Sequence, residues 1–106
     1  MELKRQEISD LFDYYAPVLS ARQRDVLDLY YNEDLSLSEI AENLAITRQA
    51  VRDAIIHGEE ALYSFEERLQ FVAREKAIKC DAENIIRLTD NPKIISLANK
   101  IIDASF

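Results

Sequence analysis

Glycine occurs once in this 106-residue chain, at Gly58, and proline twice, at Pro17 and Pro92. So few chain breakers exclude an all-β fold dense in tight turns and favour helices joined by short connections. Cysteine also occurs once, at Cys80, and histidine once, at His57. A lone cysteine excludes an internal disulfide and a cysteine-based zinc cluster, and a lone histidine excludes a multi-histidine metal site. Cys80 is expected to be a small buried hydrophobe and His57 a surface or interface residue. No uninterrupted apolar run approaches the ~20 residues of a membrane span. Charges at Glu2, Lys4, Arg5 and Glu7 interrupt the N-terminus, so no secretory leader is expected and the cytoplasm is the natural compartment. There is no phosphate-cradling glycine loop and no nucleophile–base or acid–base pair at a telling spacing, so the chain reads as a non-enzyme without metal or cofactor.

Positive charge is also scarce. The net charge is −7, unfavourable for a protein that would grip phosphates unless basic side chains cluster locally. Residues 1–35 carry four Lys/Arg against eight Asp/Glu, residues 36–57 two against three, and the remainder seven against nine. No segment is basic as a whole.

What is present is helical periodicity. The length suits one domain over residues 1–106. Ile8, Leu11, Phe12 and Tyr15 form one apolar stripe, and Pro17 ends that helix. Ser20 followed by Gln23 is a capping box opening a second helix, with Val26, Leu27 and Tyr30 inward and Asn32 as its stop. A short third helix carries Ile40, Ala41 and Leu44, with Ser38 as its expected cap. Ala45 and Ile46 make a tight turn, and Thr47 caps the fourth helix.

The fourth helix is predicted to be long, about 47–77. Val51, Ile55, Gly58, Leu62, Phe65, Leu69, Val72 and Lys76 keep a heptad register. Gly58 could cap a helix end, but the unbroken register favours continuity. An interior glycine costs about 0.5–1 kcal/mol, against about 1.5–3 kcal/mol for each large apolar side chain buried. Val51, Ile55, Leu62, Phe65, Leu69 and Val72 therefore read as a core or dimer seam, with a homodimer slightly preferred. A C-terminal helical hairpin is expected over about 81–104, with Asp81 capping its first helix, Ile85, Ile86 and Leu88 apolar, Asn91-Pro92 as the turn, and Ile94, Ile95, Ala98, Ile101 and Ile102 on its second helix.

The functional constellation is a helix-turn-helix at Leu37–Ile56. Ala41 permits the close crossing of its two helices, while Ile40, Ile46 and Val51 lock them. Ala45 stands where glycine is usual. Thr47 caps a helix whose free N–H groups and positive dipole end suit a phosphate. Arg48, Gln49 and Arg52 project from its first turns, where arginine matches guanine and glutamine matches adenine in a major groove. Ser36, Ser38 and Thr47, with Arg22 and Gln23, are the candidate phosphate contacts. The same spacing also occurs in trihelical cores that bind no nucleic acid.

The run LSARQRDVLDLYYNEDLSLSEIAENLAITRQAVRDAI resembles region four of bacterial sigma factors. More widely, LFDYYAPVLSARQRDVLDLYYNEDLSLSEIAENLAITRQAV with EEALYSFEERL is similar to the YlxM-like proteins of Gram-positive bacteria and mycoplasmas. The resemblance covers about two thirds of the chain. It implies an all-α, sigma-region-four-like bundle with a long fourth helix and two short C-terminal helices. It implies DNA, or a structured RNA, as a partner. It also implies a regulatory or accessory part in the signal recognition particle pathway, whose GTPase and receptor genes neighbour the family's. The alternative is a protein-interaction accessory factor of that particle without DNA binding, its acidic surface and helical seam docking a basic partner such as the GTPase or the RNA-bound particle. The family's recognition motif falls on Thr47, Arg48, Gln49, Ala50 and Val51. Thereafter this chain has Arg52, Ile56 and His57 where relatives tend to carry a tyrosine and a basic pair.

Overall fold

A computed structural model describes residues 2–105, and those residues form helices without strands. The order is α1 (Glu2–Tyr15), a 3-10 turn (Ala16–Val18), α2 (Ala21–Leu27), a wide π-type turn (Asp28–Asn32), α3 (Leu37–Leu44), α4 (Arg48–Leu69), α5 (Phe71–Leu88) and α6 (Pro92–Ser105). The chain divides into two compact units, residues 1–69 and 70–106, where composition and length suggested one.

In the first unit α4 is the central helix, packed against α1, α2 and α3. The stripe of Ile8, Leu11, Phe12 and Tyr15 is buried on α1, as are Val26 and Leu27 on α2, Ile40 and Ala41 on α3, and Val51, Ala54, Ile55 and Leu62 on α4. Pro17 sits in the 3-10 turn that ends α1. The Ser20–Gln23 capping box forms: Gln23 N–H donates to Ser20 Oγ at 3.2 Å, and Ser20 N–H to Gln23 Oε1 at 3.4 Å. The helix continuing from α2 widens at residues 28–32 and stops at Asn32. Arg5 ties α1 to that widened turn, donating to the carbonyls of Tyr30 (3.3 Å) and Tyr31 (3.2 Å), pairing with Asp34, and lying over the Tyr31 ring. A widened turn leaves carbonyls without their helical partners, and this guanidinium supplies donors for them.

Helix α4 runs unbroken through Gly58, and the reason for glycine is steric. A Cβ there would lie 2.8 Å from Leu27 Cδ1, 3.3 Å from Leu27 Cγ and 3.6 Å from Gln23 Cβ. The loss in helix propensity is thus accepted for a close α2–α4 approach.

The long seam is shorter than its register promised. Helix α4 ends at Leu69, and Gln70 adopts a left-handed conformation (φ 57°, ψ 25°) before α5 begins. Its carbonyl accepts the first bond of α5, from Arg74 N–H at 2.9 Å. Neither Gly nor Pro marks the break. Beyond Phe65 the helix has little core to face: Phe65 is half-buried, its ring 5.8 Å from that of Tyr15, and Leu69 is exposed. A helix that stops burying an apolar face loses its main support. Val51, Ile55 and Leu62 are interior to the first unit and are core, whereas Val72 and Lys76 belong to α5 in the second.

The second unit is the hairpin of α5 and α6. It starts about ten residues before the expected 81. Asp81 is an exposed residue inside α5 and caps nothing there, and Cys80 is exposed rather than buried. At the turn, Asn91 Oδ1 accepts from Lys93 N–H at 2.9 Å, and Pro92 is the first residue of α6. There proline's fixed φ suits the helix and its missing N–H is no loss.

Candidate nucleic-acid interface

The turn between α3 and α4 closes by backbone bonds that are specific to helix ends. Ile46 N–H donates to Ala41 C=O at 3.0 Å, and Ala45 N–H to Glu42 C=O at 3.4 Å. This pair is a Schellman motif, and Ala45 takes its left-handed position (φ 56°, ψ 45°). Alanine there costs about 1–2 kcal/mol relative to a right-handed residue. Buried Ile40, Ala41 and Val51 hold the two helices together around it, with Ile46 half-buried.

The N-terminus of α3 is capped by Ser36, not Ser38. Glu39 N–H donates to Ser36 Oγ at 3.1 Å and Ser36 N–H to Glu39 Oε1 at 2.9 Å, a complete capping box. These bonds to Ser36 hold the Glu39 carboxyl below the usual carboxylate range. Ser38 is exposed in the first turn of α3. Thr47 caps α4, its Oγ1 accepting from Ala50 N–H at 3.0 Å. Each capping hydroxyl still has its own O–H to donate.

Thr47, Arg48, Gln49 and Arg52 are all exposed and lie together over the first turns of α4. Gln49 is engaged: its Nε2 donates to Asp53 Oδ1 at 2.9 Å, one turn on. Asp53 follows Arg52 directly in the chain, and its bond from Gln49 is the i, i+4 pairing that helical spacing allows. Ile56 is exposed further along the same helix. Ser36 and Ser38 sit at the start of α3, and Arg22 and Gln23 at the start of α2. Arg22 is exposed, whereas Gln23 is half-buried and its side-chain oxygen is used in the α2 capping box.

The surroundings are acidic. The first unit carries seven Lys/Arg against fifteen Asp/Glu, a net −8. Several carboxylates are used internally: Tyr31 O–H donates to Glu59 at 2.8 Å and Tyr15 O–H to Glu66 at 2.6 Å. Burial, then the bond to Glu59, pushes the Tyr31 phenol well above its ordinary value. Tyr63 moves the same way through burial and the nearby Glu7 and Glu59. Among the described residues no cluster of three or more His, Cys, Asp or Glu could hold a metal ion, and no helix is long and apolar enough to cross a membrane.

These features define an all-α helix-turn-helix protein. The sequence profile of one family, described as "Putative helix-turn-helix protein, YlxM / p13 like" (UPF0122), matches residues 2–100, and the chain belongs to that family. Among relatives, a UPF0122 protein of Clostridium kluyveri is 42% identical over 88 residues, 83% of this chain and 79% of the relative. One from Clostridium perfringens is 40% identical over 100 residues, 93% and 89% of the two chains. One from Limosilactobacillus fermentum is 43% identical over 86 residues, 80% and 76%.

Proposed function

We propose that this protein is a nucleic-acid-binding regulator that works as a homodimer in the cytoplasm. The observation that carries the reading is the cluster of Thr47, Arg48, Gln49 and Arg52, exposed on the first turns of α4 behind a Schellman turn. In this reading α4 enters a major groove. Arg48 and Arg52 reach base edges, and Gln49 does so after exchanging Asp53 for a base. Ser36, Ser38 and Thr47 donate hydroxyl protons to phosphates, with Arg22 and the Gln23 amide at the flank. The signal recognition particle pathway is the proposed setting, and the particle's structured RNA is the alternative nucleic acid.

A second reading is a protein-docking accessory factor of that particle, which binds no DNA. The net −8 of the unit bearing the helix-turn-helix favours it, because such a surface attracts a basic protein and repels phosphates. Fluorescence anisotropy with labelled duplex DNA and labelled signal-recognition-particle RNA, at low and near-physiological salt, separates the readings. Nucleic-acid binding is expected, falling steeply with salt. Arg48→Ala and Arg52→Ala should each weaken it by about 1–3 kcal/mol. Equal affinity in both variants would remove the assignment of the two arginines. No binding at low salt would leave the docking reading.

A further inference from the structure

The α5–α6 hairpin has an apolar surface that its own two helices leave open. Among its described residues only Val72, Ala82 and Ala98 are buried apolar side chains, while Ile78, Ile85, Leu88, Ile94, Leu97 and Ile101 are 40–86% exposed. Helical geometry gathers these into one surface. Ile78 and Ile85 are seven residues apart, as are Ile94 and Ile101, so each pair runs along a single line of its helix. Ala82 and Ala98, each four residues after the first isoleucine of its pair, are 2% exposed and mark where the helices meet. Residues 89–91 are too short a link for anything but an antiparallel pair. In an antiparallel pair the same angular offset from the meeting line falls on the same side of the hairpin for both helices. The opposite side of α5 carries charged residues instead, with Lys76, Lys79, Glu83 and Arg87 around Cys80 in a shallow depression.

We infer that a second copy of this chain covers this face, hairpin against hairpin, as a four-helix bundle with two-fold symmetry. Charge is compatible with that occupant. The hairpin unit carries six Lys/Arg against five Asp/Glu, a net +1, while the other unit carries −8. Two copies therefore meet without the like-charge repulsion that contact through their acidic units would bring. The pattern is also self-complementary: heptad-spaced isoleucines beside small alanines on both helices are what knobs-into-holes bundles bury. Finally, a hairpin whose core is one valine and two alanines lacks the burial that small helical units need, and doubling supplies it. The α4 seam does not compete, because Val51, Ile55 and Leu62 are already interior to the first unit. The inference rests on the homodimer in the proposed function but not on nucleic-acid binding.

Sedimentation equilibrium of the full chain at tens of micromolar tests it. A mass twice 12.3 kDa is expected. The double variant Leu97→Glu/Ile101→Glu should raise the dimer dissociation constant at least about a hundredfold, and the gentler Leu97→Ser about tenfold. The gentler change keeps the test decisive if the double variant unfolds the hairpin. Ile56→Glu, at an exposed position on α4, should leave the mass unchanged. A wild-type mass of one chain would overturn the inference, as would a dimer indifferent to the Leu97 changes or one broken by Ile56→Glu. A dimer that binds neither labelled DNA nor labelled RNA would sink the nucleic-acid reading and leave this one standing.

Discussion

The two units of this chain are both all-helical yet differ in what keeps them folded. Among the described residues, thirteen buried apolar side chains belong to the first unit and three to the second. The first is acidic and closes on itself around α4. The second is near neutral and leaves its isoleucines outside. Net charge and burial thus divide along the same boundary, at Gln70. A near-neutral surface can approach a copy of itself without net repulsion, whereas a strongly acidic one cannot.

The contrast predicts its largest effect in the core of the first unit. Leu62 is fully buried on α4, and Leu62→Ala should cost about 2–5 kcal/mol by loss of transfer energy plus the cavity left behind. Leu97→Ala on α6, 60% exposed, should change the unfolding free energy of the dilute single chain by less than about 0.5 kcal/mol. Urea denaturation measures both. Equal losses at the two positions would erase the distinction between a self-sufficient unit and a dependent one.

A smaller effect tests how tightly the first unit is closed. At Gly58 an added methyl gains up to about 1 kcal/mol of helix propensity. It also meets Leu27 Cδ1 at 2.8 Å, where Leu27 is fully buried and has little room to turn. Overpacking of this kind costs about 1–3 kcal/mol. Gly58→Ala is therefore expected to destabilise modestly, and Gly58→Val more. A Gly58→Ala chain with a higher denaturation midpoint would show that α2 and α4 can slide apart freely.

How far the sequence could be read follows the same division. The stripe of Ile8, Leu11, Phe12 and Tyr15, the Ser20–Gln23 box and the cap at Thr47 all follow from spacing within one or two turns, and all are formed. The unbroken register places Gly58 inside a helix, as found, but its cause, the approach of Leu27, is a tertiary contact that no local pattern contains. The cap at Ser36 is legible in its Ser-x-x-Glu spacing, whereas Ser38, the expected cap, already lies within the first turn of α3. The break at Gln70 was not legible. A heptad register counts residues, and one left-handed glutamine without Gly or Pro gives no compositional sign. Cys80 illustrates the remaining gap: a type usually buried is exposed because α5 presents that side to solvent. In the candidate interface, the arginines were found from their place in the motif. The hydrogen bond from Gln49 to Asp53 follows from helical spacing, although the motif alone presents Gln49 as free for a base.

The smallest predicted effect lies at the N-terminus of α3, where stability and the proposed interface oppose each other. The bonds to Ser36 lower the Glu39 carboxyl from its ordinary value of 4.5 in the folded chain. A carboxylate depressed on folding adds stability that is complete above its unfolded value and is lost as pH falls through the folded one. Glu39→Gln keeps an acceptor for Ser36 N–H but removes the charge. The melting-temperature advantage of the native chain over Glu39→Gln should therefore be constant above about pH 5.5 and vanish progressively below about pH 4.5. A difference that stays level down to pH 3 would mean that the cap does not depend on ionisation. The same carboxylate keeps a negative charge one residue from Ser38 and three from Ser36, the proposed phosphate donors. If nucleic acid docks there, Glu39→Gln should bind it more tightly at low salt while folding less stably at neutral pH. That opposite movement of two measurements is specific to a helix cap lying in a phosphate path.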